Sequence, residues 1–555
     1  MTPARFGRRD AVALAGLLLA GVGVPLWMAA AAGAVGIPTN DDWVYMRAAT
    51  ALFGTGAVDM PGHTAAFIGQ LVLVQPFLWL SAGDPWAFTA FGLFMTSIGI
   101  AATYLLARRY VGLGSAVLVV LSVVAFPGFA RESASFMTDV PAYALAMVCL
   151  LLGTAWLQGD GGRWTLVASL GAGVLAVSVR EFAIAAPVAI LLAAWARDRA
   201  QERPQLVVRS SVLIVGLAGV LAISVWLVAR SASQFQFGRS IDLGPAFATL
   251  AAILLPAMVL YVAKRTATFS AIQVIVAAAI VLLLCLPNGP LVGNLWTADG
   301  LAANQLLPGV RDPVFGALPW AVSGRLALFA AILAATAALS WTRIAFASAS
   351  SASTARLVAV RIAGGREGLL VLFMLGYAAE VVVYSSVGGV FDRYLYPLVP
   401  VAAITLLRAA QPLRFGRSHA FAHGAFVWLV VSAVMIAANS FAYDAARYRA
   451  GTAAVAMGYD ATTVDAGYEW IGLHGRGTEN LDFDPASPGW WWEDIWPSFR
   501  RCAVLSNTPL DLAGYTLIRG NHSAYRQYLF LGPDEPLYLY GASLDGCPRP
   551  PLPSG

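Results

Sequence analysis

Short polar clusters interrupt the apolar runs of this 555-residue sequence, and their residue types are those of acid–base and anion-binding sites. Two neighbouring carboxylates can accept a proton or bind a hard divalent cation through oxygen. A guanidinium group can hold the oxygens of a phosphate in a bidentate arrangement. The clusters are Asp41-Asp42, Arg131-Glu132, Asp139, Arg180-Glu181 and Asp392-Arg393-Tyr394.

Each cluster also has an interpretation without chemistry. Asp41-Asp42 fits a helix cap or a solvated acidic pair just outside a membrane span. Asp139, which precedes Val140-Pro141, fits an ordinary cap in the first turn of a helix. Arg180 and Arg393 fit interfacial arginines that extend to lipid headgroups. The residues alone leave both interpretations open.

The composition identifies the class of protein that must position these clusters. Hydrophobic residues make up 59% of the chain and charged residues only 12%, about half the charged share of an ordinary soluble protein. No soluble core could bury so much apolar surface. The net charge of +5 comes from arginines in short groups between apolar runs, which is typical of membrane topology rather than of nucleic-acid binding.

Apolar runs of spanning length predict about thirteen transmembrane helices. The uncharged stretch Ala11–Asn40 is longer than a secretory signal segment of about 7–15 residues, so we expect it to be retained as the first span. The other predicted spans are Ala87–Ala107, Val111–Ala130, Val140–Gly159, Trp164–Val179, Phe182–Ala196, Ser210–Ala229, Leu243–Ala263, Thr266–Leu286, Leu318–Trp341, Gly368–Gly389, Tyr394–Leu407 and Ala425–Ala442.

The segment Thr64–Ala82 decides the predicted topology, because counting it as a span would invert every later loop. If it lies along the outer surface, most Lys and Arg residues between spans face the cytoplasm, as the positive-inside rule requires. The prediction is therefore a multi-pass protein of the bacterial inner membrane with a cytoplasmic amino terminus. Residues 1–442 form its membrane domain, with a first external loop at about 36–86 that holds juxtamembrane helices. Residues 443–555 form an extracytoplasmic mixed α/β domain.

Four motifs resemble the GT-C superfamily of polyprenyl-phosphate-sugar-dependent glycosyltransferases. The superfamily includes protein O-mannosyltransferases and bacterial aminoarabinose transferases, and the resemblance is to its bacterial family-39-like branch. It covers roughly residues 10–410 and leaves the carboxyl-terminal region without a counterpart. The motifs are Asn40-Asp41-Asp42-Trp43-Val44-Tyr45, Ser135-Phe136-Met137-Thr138-Asp139-Val140-Pro141, Arg180-Glu181 and Asp392-Arg393-Tyr394-Leu395-Tyr396-Pro397.

The resemblance implies a GT-C fold and an inverting glycosyltransferase that moves a hexosyl or pentosyl group from a polyprenyl-phosphate carrier. The acceptor would be an extracytoplasmic glycan, lipid or protein. Asp41 would be the base, Asp42 would orient the acceptor or tune its neighbour, and Asp139 would be a second active-site carboxylate. Arg180 and Arg393 would bind the donor phosphate, with Arg131, Glu132, Glu181 and Tyr394 in support; Glu132 and Glu181 would hold the two arginines.

Two other functions compete with this one. A lipid-linked-sugar flippase or small-molecule transporter would carry polar groups near mid-membrane and inverted repeats, and neither is evident. A non-catalytic assembly subunit would have lost the acidic pair, whereas Asp41-Asp42 is intact. No cofactor is required by this interpretation. A divalent cation bound by Asp41, Asp42 and Asp139 is an alternative, and the five histidines lack the spacing of a zinc site. Membrane lipid is an expected partner and nucleic acid is not.

The cysteines divide between the two predicted domains. Cys149 and Cys285 lie inside predicted spans and are expected to be inert. Cys502 and Cys547 lie in the domain that the topology places outside the cytoplasm, where oxidation is allowed. The sequence therefore predicts a Cys502–Cys547 disulfide.

Overall fold

The computed structural model describes residues 6–57, 67–200, 243–265, 270–286, 291, 302–303, 311–312, 323–348, 367–387, 390–410, 417–475, 496, 498–507, 509, 513–543 and 545–548. Among the described residues helices predominate up to residue 456, and a four-stranded sheet lies in the carboxyl-terminal region. The sequence prediction of a helical membrane domain followed by a mixed domain agrees with this architecture.

The amino-terminal half consists of ten α-helices. The first two are joined without a break by a π-helical turn, Leu19–Gly23. A 3₁₀ turn, Glu181–Ile184, precedes the tenth. The helices are α1 Arg8–Leu18, α2 Val24–Ala32, α3 Asp42–Thr55, α4 Ile68–Leu80, α5 Trp86–Arg108, α6 Leu113–Val124, α7 Phe129–Ser133, α8 Asp139–Gln158, α9 Arg163–Val179 and α10 Ala185–Ala200.

The described residues between 243 and 456 form six further α-helices. A 3₁₀ turn, Asp392–Leu395, lies before the fifth of them. The helices are α11 Gly244–Arg265, α12 Ala271–Cys285, α13 Ser323–Ser348, α14 Gly368–Val387, α15 Leu398–Ala410 and α16 Arg417–Ala456. Strands β1 Ala302–Ala303 and β2 Arg311–Asp312 form a small antiparallel pair between α12 and α13.

The described residues contain six helices long and apolar enough to cross a membrane, which agrees with a polytopic protein. They are Arg8–Ala32, Trp86–Arg108, Asp139–Leu157, Gly244–Lys264, Gly368–Ser385 and His419–Ala456, and shorter apolar helices lie among them. A helix occupies every predicted span that falls on described residues; Ser210–Ala229 lies outside them. The span predicted from Tyr394 begins later, because Asp392–Leu395 is a 3₁₀ turn and the helix starts at Leu398.

The segment that decides the topology contains the short helix α4. Its thirteen residues extend about 20 Å at 1.5 Å per residue, less than the roughly 30 Å of a bilayer core. Buried Gln70 donates from Nε2 to the carbonyl oxygen of Phe136 at 2.6 Å. The Gln70 side chain of α4 is therefore hydrogen-bonded to the backbone of the segment that precedes Asp139. The orientation of the termini stays a prediction.

The predicted domain boundary between residues 442 and 443 falls inside α16, which continues to Ala456. After it come a 3₁₀ turn at Ala461–Thr463, strand β3 Val464–Asp465 and helix α17 Tyr468–His474. Strands β4 Ala503–Ser506, β5 Tyr515–Arg526 and β6 Asp534–Ala542 follow, with the short helix α18 Gln527–Phe530 between the last two.

The carboxyl-terminal sheet has the strand order β3-β4-β6-β5. Strand β3 pairs with β4 in parallel, and the other two pairs are antiparallel. Cys502 and Cys547 are joined by a disulfide beside this sheet, while Cys149 and Cys285 are free and buried. The buried side chains between the sheet and α16 include Ala446, Ala450 and Trp470. The long helix α16 therefore contributes to the core beneath the sheet as well as to the core of the helical part.

Candidate functional site

Asp41 lies at the point where the loop after α2 leads into α3. Asn40 before it adopts a left-handed backbone conformation with φ of 55°, which asparagine tolerates better than most residues. Asp41 is half-buried, and its carboxylate accepts hydrogen bonds from the hydroxyl of Tyr468 at 3.3 Å and from Nδ2 of Asn40 at 3.4 Å. Burial raises its pKa above the ordinary aspartate value, and Arg393 and Arg180 oppose this shift. A raised pKa suits a general base.

Asp42 has a different environment from its neighbour. Its side chain is buried, and one oxygen, Oδ2, accepts from Thr39 N at 3.3 Å, Thr39 Oγ1 at 3.2 Å and Phe136 N at 3.0 Å. Burial raises its pKa to about 7. Asp42 therefore ties the first loop to the segment before Asp139, and of the two residues Asp41 is the less buried.

Gly92 allows α5 to approach closely the segment between α7 and α8. A Cβ at Gly92 would collide with the carbonyl oxygens of Ser133 and Ser135. Helix α5 can therefore pack directly on the backbone between α7 and α8. This packing fixes the segment from which Phe136 N reaches Asp42 and from which Asp139 starts α8.

Asp139 is the shared ion-pair partner of both predicted phosphate-binding arginines. Its Oδ2 lies 3.5 Å from Nη1 of Arg180 and 3.4 Å from Nε of Arg393. The Asp139 side chain is fully buried, and each guanidinium is almost so. These separations exceed the 2.7–2.9 Å or so of a tight charge-assisted hydrogen bond. The three groups, from α8, the end of α9 and the turn before α15, form one cluster.

Several polar atoms of the cluster lack a hydrogen-bond partner. Among the described residues, no hydrogen bond reaches Nε or Nη1 of Arg393 or either carboxylate oxygen of Asp139. Arg180, in contrast, donates from Nη1 to Thr138 Oγ1 at 2.6 Å. Buried donors without partners are costly, which marks Arg393 as a candidate ligand-binding group.

The ring of Tyr394 contacts both guanidinium groups. Its ring centroid lies 4.8 Å from Cζ of Arg180 and 5.4 Å from Cζ of Arg393. The cations also lie 5.1 Å from the ring of Phe182 and 4.6 Å from the ring of Phe391, respectively. Aromatic faces attract cations without consuming their N–H donors. The rings can therefore hold two like charges near each other and leave donors for a ligand.

The predicted supporting residues Arg131, Glu132 and Glu181 do not all contact the two phosphate-binding arginines. Arg131 donates from Nη2 to Asp444 at 2.9 Å, so its partner lies on α16. Burial raises the pKa of Glu132 to about 8, with Arg393 opposing the shift. Within the described part of the chain neither glutamate forms an ion pair with Arg180 or Arg393, the role expected for both. Asp139 takes that place.

Four further residues of the site come from the chain after residue 442. Asp444 and Arg447 lie on the continuation of α16, and Tyr468 and Glu469 begin α17. Arg447 Nη2 contacts Asp444 at 3.3 Å and Glu469 at 2.7 Å. The sequence analysis missed them. The spacing of Asp444 and Arg447, three residues apart just after an apolar run, was the signal that the helix continues with an internal ion pair.

The three predicted carboxylates have separate partners. Asp42 is bound to backbone and Thr39, whereas Asp139 faces two arginines. In the part of the chain that the structure describes, no group of three or more His, Cys, Asp or Glu residues is arranged to hold a metal ion.

Solved structures of two other proteins match the chain. ArnT from Cupriavidus metallidurans, in a crystal structure with bound undecaprenyl phosphate, is 13% identical, with 98% of this chain and 99% of that chain covered and a TM-score of 0.42. Its apo crystal structure gives 14% identity, 95% and 99% coverage and a TM-score of 0.37. The cryo-EM structure of arabinosyltransferase EmbB from Mycobacterium smegmatis is 14% identical over 80% of this chain and 43% of that chain, with a TM-score of 0.34.

No family model matches the chain, and no curated protein has a significant sequence match to it. At these identities and TM-scores no residue role passes from the matched structures to this chain. The roles of the site residues follow from their own contacts.

Proposed function

We propose that the chain is an inverting glycosyltransferase that moves a single hexosyl or pentosyl group from a polyprenyl-phosphate donor to a hydroxyl of an extracytoplasmic acceptor. The observation that carries the proposal is the convergence of Arg180 and Arg393 on Asp139, with donors on Arg393 that form no hydrogen bond among the described residues, and the electrostatic effect of both arginines on Asp41. Cation and base are the two groups that such a transfer needs.

The charge of the cluster suits a lipid-linked phosphodiester. Two guanidinium groups share Asp139 as their ion-pair partner, and burial raises the pKa of Glu132 to about 8, which favours its neutral form at neutral pH. Among the described residues two cations therefore lie at ion-pair distance from a single shared carboxylate, which suits an anionic donor. On transfer the phosphodiester, with one negative charge, becomes a phosphate monoester with up to two. Fixed arginines stabilise this developing charge more than that of the bound donor, which is the requirement for catalysis.

Asp41 supplies the acceptor side of the reaction. The acceptor oxygen forms a bond to the anomeric carbon while the bond from that carbon to the phosphate oxygen breaks. The electron pair of the broken bond leaves with polyprenyl phosphate, and the hydroxyl proton passes to Asp41. Attack opposite the leaving phosphate in one step inverts the anomeric configuration. The raised pKa of Asp41 brings its proton affinity nearer to the range useful at neutral pH.

Transfer by the purified protein tests the proposal. The full chain in lipid nanodiscs is incubated with synthetic polyprenyl-phosphate hexoses and pentoses and with extracted envelope glycans, lipids and proteins. We expect one acceptor to gain the mass of one sugar and free polyprenyl phosphate to appear in equal amount. The variant Asp41→Asn is assayed in parallel. Its matched control is Asp534→Asn, which replaces an exposed carboxylate in β6.

Two results would contradict the proposal. Movement of the intact lipid-linked sugar between leaflets, with no product, would indicate a flippase. An anomeric configuration retained in the product would contradict the single displacement.

A further inference from the structure

The short helix α17 contacts the first external loop at several points. Glu469 Oε1 accepts from the backbone N–H of Asn40 at 2.8 Å, and the hydroxyl of Tyr468 donates to Asp41 at 3.3 Å. In the other direction, Arg47 Nη1 donates to the carbonyl oxygen of Gly472 at 3.2 Å. These contacts join segments more than 400 residues apart in sequence.

The contact surface between α17 and α3 is closely packed. The rings of Trp43, Tyr468 and Trp496 contact one another, with centroids 5.7 Å apart for Trp43 and Tyr468, 5.4 Å for Trp43 and Trp496 and 5.6 Å for Tyr468 and Trp496. A Cβ at Gly472 would collide with the Trp43 ring. Because Trp43 follows Asp42 directly, this packing restrains the backbone that carries the carboxylate.

A chain of buried ion pairs connects α17 to α7. Glu469 of α17 pairs with Arg447, which pairs with Asp444, and Asp444 pairs with Arg131 of α7. All four side chains are buried, and their charges balance. Breaking a buried ion pair by removing one partner is strongly destabilising, so this chain of pairs resists displacement of Glu469. It connects the Asn40 amide to the segment before Asp139.

We infer that α17 positions the catalytic carboxylate: Glu469 fixes the backbone at Asn40, and Tyr468 holds the carboxylate of Asp41. The inference rests on the proposed function for its catalytic meaning. Neither residue is a catalytic group, since each acts through Asp41. The left-handed conformation of Asn40 needs such support, because it is sparsely populated outside glycine.

The pH dependence of the Asp41 titration follows from the groups that surround its carboxylate. A hydrogen bond to the ionised form favours that form, so the Tyr468 hydroxyl lowers the pKa of Asp41 against the larger raising effect of burial. Removing the hydroxyl should therefore raise the pKa of Asp41 further. The other charged or titratable groups that face this carboxylate are Arg393, Arg180, Asp139 and Tyr45.

Hydrogen exchange of the full-length protein in nanodiscs tests the backbone contact without any activity assay. Glu469→Ala should accelerate exchange in peptides that contain Asn40, and Glu469→Gln, which keeps an acceptor oxygen, should restore much of the protection. Glu535→Ala in β6 is the matched control and should leave these peptides unchanged. Parental exchange at Asn40 in a folded Glu469→Ala protein would overturn the inference.

The milder variant Tyr468→Phe decides the matter if Glu469→Ala does not fold, with Tyr538→Phe in β6 as its control. Infrared difference spectra against Asp41→Asn should show Asp41 titrating at higher pH. The acid limb of kcat should move in the same direction, with kcat lower by about 2–10-fold, the range expected for one hydrogen bond, and donor KM little changed. An unchanged Asp41 titration would overturn the inference. If the parental protein transfers no sugar, the proposed function fails, and exchange and titration still decide the positioning.

Discussion

Arg393 and Asp139 lie 254 positions apart in sequence, and their side chains meet with 3.4 Å between Nε and Oδ2. Arg180 approaches the same oxygen from the end of another helix, at 3.5 Å. One carboxylate thus orients two cations that differ in their other contacts. Arg180 is also bound to Thr138, whereas Arg393 retains donors without a hydrogen bond among the described residues.

The first prediction concerns donor binding by these arginines. Arg393→Ala should weaken the binding of a polyprenyl-phosphate sugar by about 10–100-fold, since hydrogen bonds to charged groups contribute about 1.5–3 kcal/mol. Arg393→Lys should recover only part, because an ammonium lacks the planar fork of guanidinium. Equilibrium binding of labelled donor in nanodiscs measures both. Arg526→Ala, at an exposed ion pair in β5, is the control, and equal affinity of all variants would remove Arg393 from the donor site.

The position of these arginines could be predicted from the sequence, whereas the identity of their partner could not. Charged residues at the ends of apolar runs must lie where helices leave the membrane, and spans of similar length bring alternate ends to one face. The structure brings Arg180 and Arg393 within 3.5 Å of Asp139, and both arginines act electrostatically on Asp41. Which carboxylate pairs with which arginine depends on angstrom-scale packing, such as the contact at Gly92, and no spacing in the sequence reports it.

The second prediction concerns stability and pH at Asp42. Its pKa in the folded protein, about 7, is raised from 3.8, so the fold favours the protonated form. The associated stability is present below pH 3.8 or so and is lost as pH rises towards 7. Asp42→Asn removes this titration and keeps an oxygen for Thr39 and Phe136. Relative to the parental protein, the variant should become more heat-stable as pH increases from 4 to about 7. A difference in melting temperature between the two proteins that stays constant from pH 4 to about 7 would contradict the raised pKa of Asp42.

The third prediction concerns the disulfide. Cys502 and Cys547 are 45 residues apart in sequence, and closing a loop of that length stabilises a fold by about 4 kcal/mol in the chain-entropy description. Thiol labelling of denatured, unreduced protein should modify Cys149 and Cys285 and neither of the other two. The two buried cysteines serve as internal controls for complete denaturation. Labelling of Cys502 and Cys547 would contradict both the bond and the extracytoplasmic location of this region.

The sequence analysis ended the membrane domain at residue 442 and assigned residues 443–555 to a separate domain. Asp444 and Arg447 are instead buried, since Arg131 and Glu469 neutralise them, and the helix continues through them to Ala456. Partners 313 and 22 residues away cannot be found from local periodicity. Tyr468 and Glu469 escaped notice for the same reason.

The central claim is that Asp41 takes the proton of the acceptor hydroxyl, and Asp41→Asn tests it most directly. The amide keeps the shape of the side chain and a hydrogen-bond acceptor for Tyr468 but cannot serve as the base. Single-turnover transfer from a bound polyprenyl-phosphate sugar should slow by about 10²–10⁴-fold, with donor affinity and melting temperature close to those of the parental protein. Transfer by Asp41→Asn at the parental rate would contradict the account.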